Sequence, residues 1–302
     1  MPINRHNPSV ETQVIILESE IPSDNLISVL SEHTKWTPEV VTHLVKEGGL
    51  FINKKRYQES APPHFIPANS RYELFLFTES PDDIPITKEH ILYEDDTCLA
   101  INKPAWLPVQ GTKVSRWFCL EEKVRELTGC PQAMAAHRLD RQTSGVVLFG
   151  KDPQKTGWVM KQFSARQVHK IYMAVLDGFL PQEEGTITGF MWRDFKRLPQ
   201  VYFRISEKEK PKSKASETHY KVIEKKESRT LVRANPITGR THQLRVHFAS
   251  LGCPIVGDNL YGGRDYVKAP SVQLHAAEID FFVKSQREPV KITAPLPSSF
   301  IW

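Results

Sequence analysis

One carboxylate, Asp140, stands between two arginines, Arg138 and Arg141, in a chain of 302 residues. It lies in a polar loop that continues through residues 142–145, just ahead of the apolar run at 146–149. That run is typical of a buried strand, and loops held by strands are frequent sites of catalytic side chains. An isolated aspartate of this kind more often caps a turn and pairs with nearby arginines. The interpretation of Asp140 therefore depends on the motifs around it.

The Asp140 loop is one of a series of motifs spread over roughly residues 90–285. In chain order they are LAINKPAWLPV (99–109), HRLDRQTSG (137–145), KIYMAV (170–175), PITGRTHQLRVH (236–247), a glycine-containing stretch at 252–262, and LHA (274–276). In type and order these motifs resemble those of the RluA-type RNA pseudouridine synthases. The resemblance implies an isomerase, of the intramolecular transferase kind, that converts uridine to pseudouridine in RNA.

The hydrophobic pattern and the resemblance predict the same fold class. Strand-like and helix-like segments alternate without a regular βαβ rhythm, which favours an α+β domain with a largely antiparallel sheet. The resemblance implies a pseudouridine synthase catalytic domain with a central, mostly antiparallel mixed sheet. A helix is predicted over 154–168, capped by Asp152 and Pro153. Strands are predicted at 99–101, 146–149, 171–176, 201–203, 218–223 and 230–232.

The chain is predicted to contain a small N-terminal α+β module at residues 1–80, a linker rich in Pro and Asp at 81–88, and the catalytic domain at 89–302. Helices are predicted at 25–30 and 37–48, followed by strands at 50–53 and 72–77. Two helices and a hairpin resemble a divergent S-four-like RNA-binding domain, although basic residues are sparse in the second helix. The alternative is a structural extension that packs on the main domain.

The resemblance assigns the catalytic roles to Asp140, Tyr172 and Arg245. The reaction needs an ionised carboxylate near the sugar, which either attacks the anomeric carbon or assists elimination toward a glycal; the sequence does not choose between them. Arg245 matches the family arginine that pairs with the aspartate, and a guanidinium suits this role because it grips a carboxylate with two bonds and keeps its proton.

Tyr172 is implied to stack on the target uracil and to help move a proton. Period-two alternation in a strand places it on the same face as Lys170 and Ala174. Outside this motif, a tyrosine in a strand is more often a core residue.

Five further residues are implied to bind the substrate. A uridine in folded RNA must leave the base stack to reach a buried aspartate, and Arg138 is placed to fill the vacated space. Leu274 is implied to pack near the base, while Arg141, Arg240 and His242 are implied to bind flanking phosphates.

We expect no cofactor and no metal, because this isomerisation requires neither. The chain contains no phosphate-cradling P-loop run and no dinucleotide-binding fingerprint. Residues 241–251 are predicted to form a helix capped by Thr241. His242 and His247 would then be five positions apart and would not face each other, so we expect them not to share a metal ion.

The composition is that of an ordinary globular protein, with 40% hydrophobic and 25% charged residues and a net charge of +5. No stretch approaches ~18 apolar residues, and the first residues lack an apolar signal core. The four cysteines show no paired spacing, which is typical of reduced thiols. We therefore expect a cytoplasmic monomer with RNA as its partner and no association with membranes.

Two alternative functions belong to other classes of protein. A catalytically silent RNA-binding or ribosome-assembly protein on the same fold would be expected to lack Asp140, Tyr172 or Arg245, and all three are present. A zinc deaminase would need a His/Cys-x-Glu and a Pro-Cys-x-x-Cys arrangement, which the chain lacks. For the target, an S-four-like module favours large-subunit ribosomal RNA, and transfer RNA stays open.

Overall fold

The computed structural model describes residues 10–77, 83–197, 201–263, 269, 271–283, 286 and 288–302. These residues divide into two compact units: a main unit within 84–109 and 123–302, and an N-terminal unit within 10–83 and 110–122. Segment 110–122 thus folds with residues that precede it by some thirty positions or more. Residues 81 and 82 of the predicted linker lie outside the described residues. In the described ranges, no helix combines the length and apolar character needed to cross a bilayer.

The N-terminal unit combines two helices with short antiparallel strands. Its elements are β1 (Val10–Ile16), β2 (Ile21–Pro22), α1 (Leu26–Thr34), α2 (Pro38–Glu47), β3 (Leu50–Ile52), β4 (Lys55–Arg56), β5 (Phe65–Ile66) and β6 (Arg71–Phe77). One sheet has the order β1-β6-β3-β4, and β2 pairs with β5.

Local sequence signals explain the bounds of the second helix, α2. Thr37 is the N-cap of α2 and accepts a hydrogen bond from the backbone N–H of Val40, and Pro38 occupies the first helical position. Gly48 ends α2 with φ of 81°, a left-handed conformation that glycine adopts without strain. The two predicted helices and the strands at 50–53 and 72–77 are confirmed, although α1 continues to Thr34, past the predicted end at residue 30. The strand β1, which pairs with the whole of β6, was not predicted.

The main unit is built on a large mixed sheet with few helices. Its elements are β7 (Ile91–Glu94), β8 (Cys98–Lys103), α3 (Leu120–Thr128, which belongs to this unit from residue 123 onward), β9 (Met134–Ala135), β10 (Ser144–Gly150), α4 (Pro153–Ser164), β11 (His169–Asp177), β12 (Glu184–Arg193), β13 (Phe203–Ser206), β14 (Lys214–Lys226), β15 (Arg229–Pro236), α5 (Gln243–Ser250), β16 (Leu274–Phe281) and β17 (Val290–Thr293).

The strand order is β13-β12-β14-β15-β11-β16-β10-β8-β7, with β17 added to β16 and β9 added to β10. Neighbouring strands among those described are antiparallel except β10 and β16, which run parallel. The predicted α+β fold with a mostly antiparallel mixed sheet is confirmed.

Two of the boundaries predicted for this unit, one of a helix and one of a strand, are wrong. The helix predicted over 154–168 ends at Ser164, because Arg166 adopts a left-handed φ of 58° and the chain turns into β11. The strand predicted at 201–203 begins only at Phe203. The start of α4 is confirmed, since Asp152 accepts a hydrogen bond from the N–H of Lys155.

Two helices pack on different parts of the sheet and fix the strands that carry polar side chains. Leu244 and Phe248 of α5 belong to a core cluster with Ala174 and Val232, and Tyr172 packs against this cluster. Val159 of α4 lies in a second cluster, formed mainly with residues of β8, β10 and β16. Burial of these apolar faces holds the central strands β11, β16 and β10 in place.

Candidate active site

The main unit contains a cavity of about 580 Å³ at the start of the parallel strand pair β10 and β16. Three chain segments supply most of its wall: residues 136–143, residues 163–172 and residues 236–245, with Leu274 at the start of β16. Among the described residues that line it, Asp140 is the one carboxylate. The cavity therefore brings together residues from four of the sequence motifs.

The loop that carries Asp140 is fixed by the start of β10. The N–H of Thr143 donates to the carbonyl oxygen of Asp140 at 3.0 Å, and the Ser144 hydroxyl lies 2.8 Å from Nδ1 of His275. Gly145 follows with φ of 109°, and a side chain there would collide with the backbone of Ala276. The parallel pairing of β10 with β16 thus depends on a glycine immediately after the site loop.

A fully buried lysine, Lys103, also binds the loop that carries Asp140. Its ammonium donates to the carbonyl oxygens of Pro104, Leu107 and Arg141 at 2.8, 2.9 and 3.2 Å. Burial lowers the pKa of Lys103 to about 7, although the charge of Asp140 raises it in part. Three carbonyl acceptors compensate for the lost hydration of this ammonium.

Arg245 reaches Asp140, as predicted, but its two-bond grip is on another carboxylate. Nη1 lies 3.3 Å from Oδ2 of Asp140, whereas Nε and Nη2 bind Asp258 at 2.7 and 2.8 Å. Asp258 is completely buried and also accepts hydrogen bonds from the N–H groups of Leu260 and Tyr261. Asp258 therefore orients the guanidinium, and the remaining amino group is left to face Asp140.

This arrangement keeps Arg245 charged and leaves part of Asp140 open to the cavity. Burial by itself would lower the pKa of Arg245, but the hydrogen bonds and charge of Asp258, and then the charge of Asp140, raise it above its ordinary value. The Asp140 side chain is 20% exposed. Its Oδ1 accepts no hydrogen bond from any residue that the structure describes, so this oxygen is available to a ligand.

His242 approaches Asp140 from a second side. Its Nε2 lies 3.9 Å from Oδ2 of Asp140, and its Nδ1 lies 2.9 Å from the hydroxyl of Tyr261. That hydroxyl accepts the N–H of Phe203, so its own proton is free for Nδ1, and the Nε2–H of His242 then faces Asp140. Burial lowers the pKa of His242 to about 4 against the opposing effect of Asp140, so the ring is neutral near pH 7.

Tyr172 lines the cavity wall formed by β11. A bulge between Ile171 and Tyr172 shifts the register with β16, yet Lys170 and Tyr172 still line the same cavity. Burial, and then the charge of Asp140, raise the pKa of the Tyr172 phenol above its ordinary value. The hydroxyl is therefore protonated near neutral pH and can donate a hydrogen bond toward a ligand.

The structure brings most of the predicted substrate-binding residues to this cavity. Arg138, Arg240, His242 and Leu274 line it, and Arg138 is exposed. Arg141 is not among the described residues of the wall: its Nε donates to the carbonyl oxygen of Trp106 at 3.0 Å. The carbonyl oxygen of Arg141 also accepts a hydrogen bond from the Lys103 ammonium, so Arg141 has a structural role in holding the loop that carries Asp140.

The predicted helix at 241–251 is shorter than expected, and Thr241 is not its cap. The helix α5 begins at Gln243, after His242 in a left-handed conformation with φ of 58°. The side chain of Gln243 instead accepts hydrogen bonds from the N–H of Arg240 and the hydroxyl of Thr238. His247 is fully buried and its Nε2 lies 2.9 Å from the Ser216 hydroxyl, away from His242.

The family model of the RNA pseudouridylate synthases matches residues 97–250, about half of the chain and all three segments of the cavity wall. The chain belongs to the RNA pseudouridylate synthase family. This membership makes the protein an isomerase that acts on RNA.

Several relatives of this pseudouridine synthase are known. The dual-specificity RNA pseudouridine synthase RluA of Vibrio cholerae is 40% identical over 194 residues, which are 64% of this chain and 76% of that protein. Ribosomal large subunit pseudouridine synthase C of Vibrio vulnificus is 30% identical over 305 residues, covering 95% of this chain and 93% of that one. The solved structure of human RNA pseudouridylate synthase domain containing 1 is 26% identical, with a TM-score of 0.61 over 72% of this chain and 87% of its own.

Sequence reasoning gave no role to three residues that build this pseudouridine synthase site: Lys103, Asp258 and Tyr261. Each lies within a quoted motif, so the motifs contained the signal. Their roles follow from contacts with Arg141, Arg245 and His242, which no spacing in the sequence reveals.

Proposed function

We propose that this enzyme isomerises specific uridines of large-subunit ribosomal RNA to pseudouridine, with Asp140 as the catalytic carboxylate. The observation that carries the proposal is the convergence of Asp140, Arg245 and Tyr172 on one cavity that holds no other carboxylate among its described wall residues. The named relative from Vibrio vulnificus, pseudouridine synthase C of the ribosomal large subunit, supports this choice of RNA.

The reaction requires three changes that conserve every atom of the uridine. The bond between N1 and C1′ breaks, the uracil turns, and a bond forms between C5 and C1′ while the C5 proton is lost and N1 gains one. The open oxygen of Asp140 suits either attack on C1′ or removal of a proton from the sugar. In both routes Arg245 stabilises the carboxylate charge before and after the step.

Tyr172 and Arg138 take the remaining roles in this proposal. The Tyr172 ring provides a surface for the uracil, and its protonated hydroxyl is a proton donor beside the turning base. Arg138, exposed at the cavity, fills the stack that the uridine leaves, and Leu274 packs against the base. Arg240 lies on the wall where flanking phosphates would approach, whereas both ring nitrogens of His242 face protein groups, Asp140 and the hydroxyl of Tyr261.

The proposal extends to the rest of the chain. The N-terminal unit serves as an S-four-like RNA-binding module, supported by its two helices followed by a hairpin. The enzyme works in the cytoplasm, which an RNA substrate supports, and we propose that it works as a monomer. Light scattering of the purified chain tests the monomer.

The function is tested by mapping pseudouridine chemically in total RNA of cells that lack this protein, complemented with wild type or Asp140→Asn. We expect one or a few sites in large-subunit ribosomal RNA to lose modification and to regain it with wild type alone. If the sites that lose modification lie in transfer RNA instead, transfer RNA is the substrate. Restoration by Asp140→Asn would remove Asp140 from its role, and no changed site would favour the catalytically silent alternative.

A further inference from the structure

Lys170 is a cationic side chain of the cavity that the reaction described above does not use. It lies on β11 two positions before Tyr172 and lines the same cavity. It forms no hydrogen bond or ion pair with any residue that the structure describes. Burial lowers its pKa to about 8, and no carboxylate opposes that effect.

An ammonium in a partly buried wall without a counter-ion is unfavourable unless an anion arrives. The charged side chains that share the wall cannot supply one. Asp140 is engaged by Arg245, and the other charged side chains of the described wall are arginines: Arg138, Arg166, Arg240 and Arg245. His137, whose Nε2 accepts the N–H of Leu148, is neutral because burial lowers its pKa to about 3. Within the described wall, the charge of Lys170 is therefore left to be balanced by an anion that binds from outside the protein.

The wall beside Nζ of Lys170 leaves space for that anion. A methyl group placed on Gly239 would lie 3.9 Å from Nζ of Lys170 and would meet no other atom within 4 Å. A phosphate oxygen that binds the ammonium at hydrogen-bond distance would need this same space. Glycine at 239 keeps it open.

We propose that Lys170 binds a phosphate of the flipped target nucleotide, in the space beside Gly239. The inference rests on the proposed function, since the target nucleotide is the uridine that Asp140 isomerises. Lys170 is then a substrate-binding residue that holds the sugar over Asp140 while the base turns above Tyr172. A contact to phosphate leaves the uracil free to rotate, which a contact to the base would not.

The direct test follows the ammonium itself in the full chain. Lysines are labelled with ¹³C at Cε, the Lys170 signal is assigned with Lys170→Met, and its pH titration is recorded alone and with uridine 5′-monophosphate, uridine 3′-monophosphate, uridine or inorganic phosphate. We expect one of the nucleotides to raise the pKa of Lys170 by about one unit or more, because a nearby anion favours the charged form. Uridine should leave it unchanged, and inorganic phosphate should act only at a concentration at least about tenfold higher.

Exposed Lys161 on α4 is the internal control and should not shift. An unchanged Lys170 titration with both nucleotides, an equal effect of uridine, or an equal effect of inorganic phosphate would each overturn the proposal. None of these readouts needs turnover, so they are separate from failure of the proposed function, which appears as an unchanged pseudouridine map.

A second test uses Gly239→Ala, with the binding of a uridine octanucleotide measured over a series of KCl concentrations. The backbone of Gly239 is not in the left-handed region, so the variant should fold normally. We expect Gly239→Ala and Lys170→Met each to reduce the slope of log K against log salt by about 0.7, the value for one lost phosphate contact on a single strand. Lys161→Met should keep the wild-type slope. Wild-type slopes in both site variants would contradict the proposal.

Discussion

The guanidinium of Arg245 serves two carboxylates that differ in their surroundings. Asp258 is completely buried and takes two of its nitrogens, whereas Asp140 is partly exposed and takes one. A buried arginine needs a full counter-charge, and Asp258 supplies it without using the reactive group. Asp140 can then pair with the third nitrogen of the guanidinium and still offer an oxygen to the sugar.

Replacing Asp258 should therefore damage both stability and catalysis. Asp258→Asn leaves Arg245 without its two-bond partner, and breaking a buried ion pair costs about 3 kcal/mol or more of the free energy of unfolding. We expect the single-turnover rate to fall while RNA affinity stays near wild type, because the guanidinium is released toward Asp140. Urea unfolding and rapid-quench pseudouridine assays measure the two effects.

The matched control is Glu183→Gln, which breaks the exposed pair between Glu183 and Lys225. Exposed pairs contribute about 1 kcal/mol or less, so this variant should be close to wild type in stability and rate. An Asp258→Asn enzyme as stable and as fast as the control would show that Arg245 does not depend on Asp258.

Tyr172 yields a second prediction at a single position. Because burial and the charge of Asp140 raise its phenol pKa, the hydroxyl keeps its proton throughout the neutral range and above it. We expect Tyr172→Phe to retain RNA binding and to lose about a hundredfold or more in rate, as the loss of a proton-transfer group typically does. An unchanged rate would leave Tyr172 with stacking alone.

The strand pair β10 and β16 determines where the site loop lies. Parallel pairing joins Ser144 with His275 and Gly145 with Ala276, so Asp140 and Leu274 arrive at the same end of neighbouring strands. The backbone of Gly145 has a left-handed φ and touches the backbone of β16. A side chain at position 145 would therefore push the two strands apart at the end where the cavity lies.

We expect Gly145→Ala to lower the free energy of unfolding by about 3 kcal/mol, through strain at positive φ and forced displacement of β16. Gly157→Ala is the matched control: Gly157 lies inside α4, and an added methyl would meet nothing within 4 Å. That control should stabilise the protein by about 0.5–1 kcal/mol, since alanine favours a helix interior. Thermal melting followed by circular dichroism distinguishes them, and equal melting temperatures would contradict this account of Gly145.

The sequence predicts elements best where a local signal is complete. The helix α2 has its cap, its proline and its terminal glycine within twelve residues, and its bounds were predicted correctly. The start of α5 was not, because Gln243 takes the place of the expected Thr241 cap by bonding to its preceding loop. In the same way, the motif identified Asp140 as the candidate carboxylate. The two hydrogen bonds from Arg245 to Asp258 depend instead on how the chain after α5 folds back, which no local pattern shows.

At the scale of the whole molecule, segment 110–122 makes a simple truncation a poor test of the N-terminal unit. Within that unit the N–H of Arg116 donates to the carbonyl oxygen of Glu47, Nε1 of Trp117 donates to that of Lys46, and the Ser115 hydroxyl binds the Glu47 carboxylate. Deleting residues 1–80 would strip these partners from a segment that remains in the chain. Weaker RNA binding by such a truncation could then reflect local unfolding.

Point substitutions in the same segment avoid this problem. Lys113 and Arg116 are exposed, with Nζ of Lys113 4.6 Å from the ring centre of Phe75 and the guanidinium of Arg116 4.3 Å from that of Trp117. Cations beside aromatic rings suit a strand of RNA, which offers both phosphates and bases that stack. If the N-terminal unit anchors RNA, replacing both cations with alanine should weaken binding without changing the rate at saturating RNA.

We expect the double variant Lys113→Ala, Arg116→Ala to reduce the slope of log K against log salt by about 1.5, as the loss of two phosphate contacts predicts. Filter binding to a large-subunit ribosomal RNA transcript measures it. The control is Lys226→Ala, which removes an exposed positive charge at the end of β14 in the main unit. This variant should change the slope by no more than about 0.7, the value for one phosphate contact on a single strand. If the double variant binds with the wild-type slope, the N-terminal unit is a structural extension, and the main unit must recognise the RNA through its own cations.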